Sequence, residues 1–146
     1  MHTIRKFLIL VLISSFLIFN GCFDAPIYSR IEQSKLEKID FQKIKNIEII
    51  QNDLLKEADK QNILDSLNFS EKLGSSLKVE LSYYISKSCN NPERKSFASD
   101  YDGFVRLIFY FENQRFYQLQ TQFRGDKYDE PLLRILDFAK EELGIF

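Results

Sequence analysis

The chain has 146 residues, with 20 Lys and Arg against 21 Asp and Glu and a formal net charge of −1. That length suits one ordinary domain and is short for two. The balanced charge offers no basic field for nucleic acid. The single histidine, His2, and two cysteines, Cys22 and Cys89, leave little for His-dependent triads or for His-ligated zinc or copper.

In chain order, the first feature is Arg5-Lys6, an apolar run Phe7–Phe19, and Asn20-Gly21-Cys22. Two cations, a short apolar core and a small residue before a cut describe a secretory signal peptide over residues 1–21. Phe19-Asn20-Gly21-Cys22 resembles the lipobox of bacterial lipoproteins. Gly21 stands directly before the Cys, Asn20 takes the small-residue position, and Phe19 stands where an aliphatic is usual. The resemblance implies a diacylglyceryl group on the Cys22 thiol, cleavage before Cys22, and acylation of the new amine. One acyl chain binds a bilayer reversibly, whereas two or more hold firmly. An uncleaved anchor is the competing membrane reading. The apolar run reaches about 20 Å as a helix at roughly 1.5 Å per residue, against a bilayer core of about 30 Å. An ordinary secreted protein is the third reading.

Removing residues 1–21 takes away Arg5, Lys6 and His2 but no acid, so the remaining chain is slightly acidic and has no histidine. No polybasic stripe remains for anionic lipid, and the membrane contact is expected to be the covalent lipid alone. The lipoprotein resemblance also implies that an acidic residue after the Cys favours the inner membrane. Phe23 occupies that place and favours the outer membrane in a cell that has one.

Residues 22–40 lack a clean period and read as a lipidated N-terminus and tether, leaving 41–146 as a single domain. Lys43–Ile50, with Ile44, Ile47, Ile49 and Ile50, reads as a strand, and Gln51-Asn52-Asp53 signals a turn. Leu54 and Leu55 fit either a short returning strand or the start of a helix. Asp59 suits the N-cap of a helix through Phe69, with Ile63, Leu64 and Leu67 as its apolar stripe. Gly74-Ser75-Ser76 breaks the chain. Leu77, Val79, Leu81, Tyr83 and Ile85 then alternate with polar residues and Tyr84, the cleanest strand in the sequence.

Residues 87–103 read as a long polar loop. It contains Cys89, which lacks an intrachain partner if Cys22 is acylated. A structural thiol and an intermolecular disulfide are its two main readings. Phe104–Glu112 and Phe116–Arg124 form a hairpin. The apolar sets Val105, Leu107, Phe109, Phe111 and Tyr117, Leu119, Thr121, Phe123 share a face if Phe111 opposes Tyr117. A connection of three to five residues centred on Gln114 is therefore expected, since a slip of one residue exchanges the faces. Asp129 or Glu130 caps a last helix with Pro131 in its first turn and a stripe of Leu132, Ile135, Leu136, Ala139 and Leu143. Gly144 ends that helix.

The order β(β)αβββα predicts an α+β two-layer sandwich, an antiparallel sheet of about four strands with two helices on one face. The face away from the helices then carries Lys78, Glu80, Ser82 and Tyr84, with Phe104, Arg106, Ile108, Tyr110, Phe116, Gln118, Gln120, Gln122 and Arg124 from the hairpin. Of these, Tyr84, Phe104, Arg106, Ile108, Tyr110, Phe116, Gln118 and Gln120 are the candidate partner-binding residues. Aromatics, Arg and amides are the chemistry that protein-binding surfaces favour, although antiparallel sheets often simply wet one face.

Asp100-Tyr101-Asp102-Gly103 supplies too few oxygens for calcium by itself. Arg124-Gly125-Asp126 resembles an adhesion tripeptide but falls where a strand would turn. No catalytic, metal or cofactor residue is assigned. The expected protein is a membrane-anchored, non-enzymatic lipoprotein whose domain binds another envelope macromolecule, as an assembly accessory, an immunity-like protein or an inhibitor. A carboxylate-dependent envelope enzyme and a structural lipoprotein without a specific ligand are the alternatives.

Overall fold

A computed structural model describes residues 25–85 and 101–145. Residues 1–21, Cys22, Cys89 and most of the expected polar loop fall outside the described residues. The chain forms β1 (Ile27–Ile31), a short helix α1 (Gln33–Leu36), a 3₁₀ turn at Phe41–Lys43, and β2 (Asn46–Ile49). Helix α2 (Glu57–Leu67), β3 (Ser70–Glu71) and β4 (Leu77–Ile85) follow, then β5 (Gly103–Phe111), β6 (Gln114–Phe123) and helix α3 (Asp129–Leu143). The fold is α+β, as expected, but the sheet is mixed and six-stranded, in the order β1-β6-β5-β4-β2-β3.

Two differences from the expected topology have simple causes. The first strand pair is not antiparallel: β2 runs parallel to β4. Helix α2 lies between them and returns the chain to its starting end, which is what a parallel pair requires. The tether reading fails for residues 27–36. β1 pairs antiparallel with β6 along its whole length, from Ile27 opposite Thr121 to Ile31 opposite Tyr117. Its start is held tightly. The buried Thr121 hydroxyl donates to the Pro26 carbonyl at 3.1 Å, and Arg134 Nη2 donates to the Ala25 carbonyl. The described fold therefore includes the chain from Ala25 onward.

The core lies on one side of the sheet. Ile47 and Ile49 from β2, Leu77, Val79 and Leu81 from β4, and Val105, Leu107 and Phe109 from β5 are all buried. Against them pack Ile63 and Leu67 of α2 and the whole predicted stripe of α3: Leu132, Ile135, Leu136, Ala139 and Leu143. Each of these side chains except the small Ala139 contributes roughly 1.5–3 kcal/mol by leaving water. Gly144 closes α3 at a φ of 64°, the left-handed cap that glycine adopts without strain.

The hairpin between β5 and β6 departs from the expected connection. Phe111 opposes Gln114, so the turn has two residues, Glu112 and Asn113. Both have positive φ, 50° and 64°, as a primed hairpin turn demands. With that turn alone, strict pairing would set the apolar set of β6 against the wrong face. A β-bulge corrects it. Phe109 opposes Tyr117 while Tyr110 opposes Arg115, leaving Phe116 as an extra residue in β6. The two apolar sets do share a face, through a bulge rather than a longer loop. Phe116 consequently belongs to the core: it is buried, with its ring 6.2 Å from Phe41 and 6.4 Å from Phe109.

Asp59 also sits differently from its expected role. Helix α2 starts at Glu57 and places Asp59 in the third helical position, where its carboxylate accepts from the Lys56 backbone N–H at 3.4 Å. The turn at Asn52 is as expected. Its side chain accepts from Leu54 N–H at 3.0 Å and donates to the Leu81 carbonyl at 2.8 Å.

Inserting one residue between Phe116 and Tyr117 offsets the phase correction and turns every later β6 side chain over. We expect that variant to lose its near-UV dichroism and cooperative melting. Phe116→Ala should stay folded at a cost of about 3–5 kcal/mol in urea unfolding. An insertion variant as stable as Phe116→Ala would refute the bulge's role.

Candidate binding face

The alternation that fills the core sends the intervening side chains to the opposite face of the sheet. Pairing arranges them in rows across β1, β6, β5 and β4. Tyr28, Gln120, Arg106 and Ser82 form the central row. On one side lies Gln122, Phe104 and Tyr84, and on the other Arg30, Gln118, Ile108 and Glu80. Six of the eight predicted face residues lie in these rows, and Tyr110 joins them through its hydrogen bond to Glu80. Phe116 is the exception, because the bulge turns it inward.

Cross-strand pairs fix this surface. Tyr84 stacks on Phe104 with ring centroids 6.0 Å apart, and the Arg106 guanidinium lies 5.1 Å from the Phe104 ring centre. Arg106 Nε and Nη2 both donate to Gln120 Oε1, at 2.9 and 2.7 Å. The Tyr110 hydroxyl donates to Glu80 Oε2 at 2.7 Å, and partial burial followed by that carboxylate raises its pKa. Lys78 pairs with Glu48 at 3.2 Å. The Gly74 N–H, followed by Lys78, holds the Glu48 carboxyl below its usual range.

Most of the face is half-buried by these pairs. Two tyrosines stand clear, Tyr28 at 57% exposure and Tyr84 at 56%. Sequence reasoning missed Tyr28 and Arg30, which belonged to the supposed tether. The signal was present: Ile27, Ser29 and Ile31 alternate with Tyr28 and Arg30, a short strand pattern without a strong apolar run.

A second cluster lies at the helical layer. Asp59 is 1% exposed, the only buried carboxylate among the described residues. It accepts from the Tyr128 hydroxyl at 2.8 Å. The Tyr128 ring stacks on Tyr83 at 4.2 Å, with Lys56 Nζ 4.9 Å from its centroid. The Tyr117 hydroxyl similarly donates to Glu142. Burial, then the facing carboxylate, pushes both phenols far above their ordinary range. Among the described residues no group of three or more acids, Cys or His converges as a metal site would require. Asp102 accepts from Gly125 N–H at 2.7 Å and so ties the 124–126 turn to the start of β5.

An open cleft of about 560 Å³ lies between the end of β6 and the start of α3, lined by Ala25, Tyr101, Arg124, Lys127, Asp129, Glu130 and Arg134 among others. Asp59 does not line it. No described helix is long and apolar enough to cross a membrane. No protein-family model, no curated protein and no solved structure matches the chain.

The two buried phenols are expected to make stability fall at alkaline pH. Their pKa values are higher folded than unfolded, so the native state keeps protons that the unfolded chain loses near pH 10. Stability is full below that pH and falls as pH rises above it, by up to about 1.4 kcal/mol per pH unit for each phenol. Tyr128→Phe should flatten the alkaline slope while costing about 1–3 kcal/mol at neutral pH, because Asp59 loses a buried partner. Urea titrations from neutral to alkaline pH check both; an unchanged slope in Tyr128→Phe would contradict the assignment.

Proposed function

We propose that this chain is a bacterial lipoprotein, acylated at Cys22 after removal of residues 1–21, whose α+β domain binds another envelope macromolecule through its open sheet face. The domain stands outside the cytoplasm, and the absence of an acid after Cys22 favours the outer membrane. Its role is non-enzymatic: an assembly accessory, an immunity-like protein or an inhibitor.

The observation that carries the binding half is the arrangement of Tyr28 and Tyr84 around Arg106. Two exposed phenol rings flank a guanidinium already held by Gln120 and Phe104. Tyr and Arg dominate binding energy at protein interfaces. Side chains already locked by neighbours lose less entropy on association. The anchoring half rests on Phe19-Asn20-Gly21-Cys22 and the short apolar run before it.

Two experiments address the halves separately. Metabolic labelling with a palmitate analogue, followed by intact-mass analysis, should place acyl groups on an N-terminal Cys22. Cys22→Ser should abolish both label and membrane retention. An unacylated chain, or one starting elsewhere, would remove the anchor. For the face, a photo-crosslinking residue at Ser82 should capture one discrete partner in intact cells, whereas one at the helical surface position Leu133 should not. Tyr28→Ala combined with Tyr84→Ala should abolish that adduct while moving thermal stability by less than about 1 kcal/mol, as suits exposed positions. Equal capture from both surfaces, or capture indifferent to the double variant, would leave a structural lipoprotein without a specific ligand.

A further inference from the structure

The first described residues are tied down close in sequence to Cys22. Ala25 is buried, and its carbonyl accepts from Arg134 Nη2 while Thr121 Oγ1 holds the neighbouring Pro26 carbonyl. Three residue steps separate Cys22 from Ala25. At no more than about 3.6 Å per residue, they reach about 11 Å. The headgroup layer on each side of a bilayer is itself roughly 6–7 Å deep. A lipid on Cys22 therefore holds Ala25 at the edge of the headgroups, with no room for the domain to stand away.

Resting on the lipoprotein reading, we propose that the cleft beside Ala25 is the bilayer-facing end of the domain, and that it meets zwitterionic headgroups of the leaflet holding Cys22. β1 runs antiparallel to β6, so the end of β6 and the 124–128 turn lie alongside Ala25. The cleft there mixes cations and acids: Arg124, Lys127 and Arg134, the last bonded to the Ala25 carbonyl and the Thr121 hydroxyl, with Asp129 and Glu130. That mixture suits a headgroup carrying both a phosphate and an ammonium better than a purely anionic surface. The Glu112–Asn113 turn occupies the opposite end of β5 and β6. At about 3.3 Å per residue, strands of this length separate the two ends by roughly 30 Å.

The test uses the full acylated chain with Cys89→Ser, reconstituted in phosphatidylethanolamine-rich vesicles containing headgroup-nitroxide lipid. A bimane label goes on Asp126→Cys or on Gln114→Cys. Quenching should be at least threefold stronger at position 126 and should change little between low and high salt. A Gly/Ser linker of about ten residues between Asp24 and Ala25, with a span near 17 Å, should abolish the difference without removing the lipid. Equal quenching at both positions, or a difference that survives the linker, would overturn the inference while leaving the anchor intact. A strong loss of quenching at high salt would overturn its zwitterionic part. Intact mass of the same preparations reads the anchor independently, and absence of acyl groups there would sink both readings.

Discussion

How β6 absorbs one extra residue decides the architecture. A strand alternates its side chains with a period of two, and a two-residue turn locks the phase of the strand that follows it. The turn at Glu112–Asn113 sets a phase that would expose Leu119 and Phe123 and bury Gln118 and Gln120. Phe116, bulged out of the ladder with Phe109 opposite Tyr117, shifts that phase by one. Everything on either side follows from the shift. The core receives Tyr117, Leu119 and Phe123, and the open face receives the amides that meet Arg106. The bulged side chain is itself apolar and fills the space beside Phe41 and Phe109, so the correction adds to the core.

The same strand organises the N-terminal edge. Left unpaired, β6 would present a row of open N–H and C=O groups, a template for unwanted strand pairing. β1 covers it from Ile27 to Ile31, and Glu32 N–H then donates to the carbonyl of the bulged Phe116 at 2.8 Å. Thr121 links the two strands at the other end through Pro26, and Arg134 brings α3 into the same junction. The segment that covers the edge is also the one that leads to Cys22. Protection of the sheet edge and a short path to Cys22 are two consequences of one short strand.

Much of this was legible in the residues, and the failures have physical causes. The β4 strand and the α3 stripe were read correctly because each repeats its period over nine or more residues, enough to outweigh local noise. The hairpin faces were read correctly from the two apolar sets, but the connection was not. A bulge is a local insertion, and pattern alone cannot distinguish one extra strand residue from a longer turn. β1 was missed because a five-residue edge strand with three exposed positions offers almost no apolar contrast. The parallel placement of β2 was implied by the helix that follows it, yet short links elsewhere suggested a simple meander. Asp59 was read as a cap from its residue type. Its burial against Tyr128 depends on a contact spanning most of the domain, which no local pattern encodes. Of the candidate face, only Phe116 was misplaced, and Tyr28 and Arg30 were lost with the strand that carries them.

The chemistry of the open face constrains what can rest on it. A guanidinium has five N–H donors in a planar fork, and the described contacts of Arg106 direct two of them at one amide oxygen, Gln120 Oε1. Gln120 thereby aims the fork while leaving donors for an incoming acceptor. The Phe104 ring lies 5.1 Å from the guanidinium and itself stacks on Tyr84. Glu80 is already engaged by Tyr110, and Lys78 by Glu48, so the flanking charges are largely satisfied within the sheet. A ligand suited to this surface would bring a carboxylate or carbonyl oxygen to Arg106 and apolar or aromatic surface to Tyr28 and Tyr84. Because the sheet supplies this arrangement already paired, docking there would proceed without rearrangement of the backbone, and discrimination would fall to the single acceptor that meets the fork.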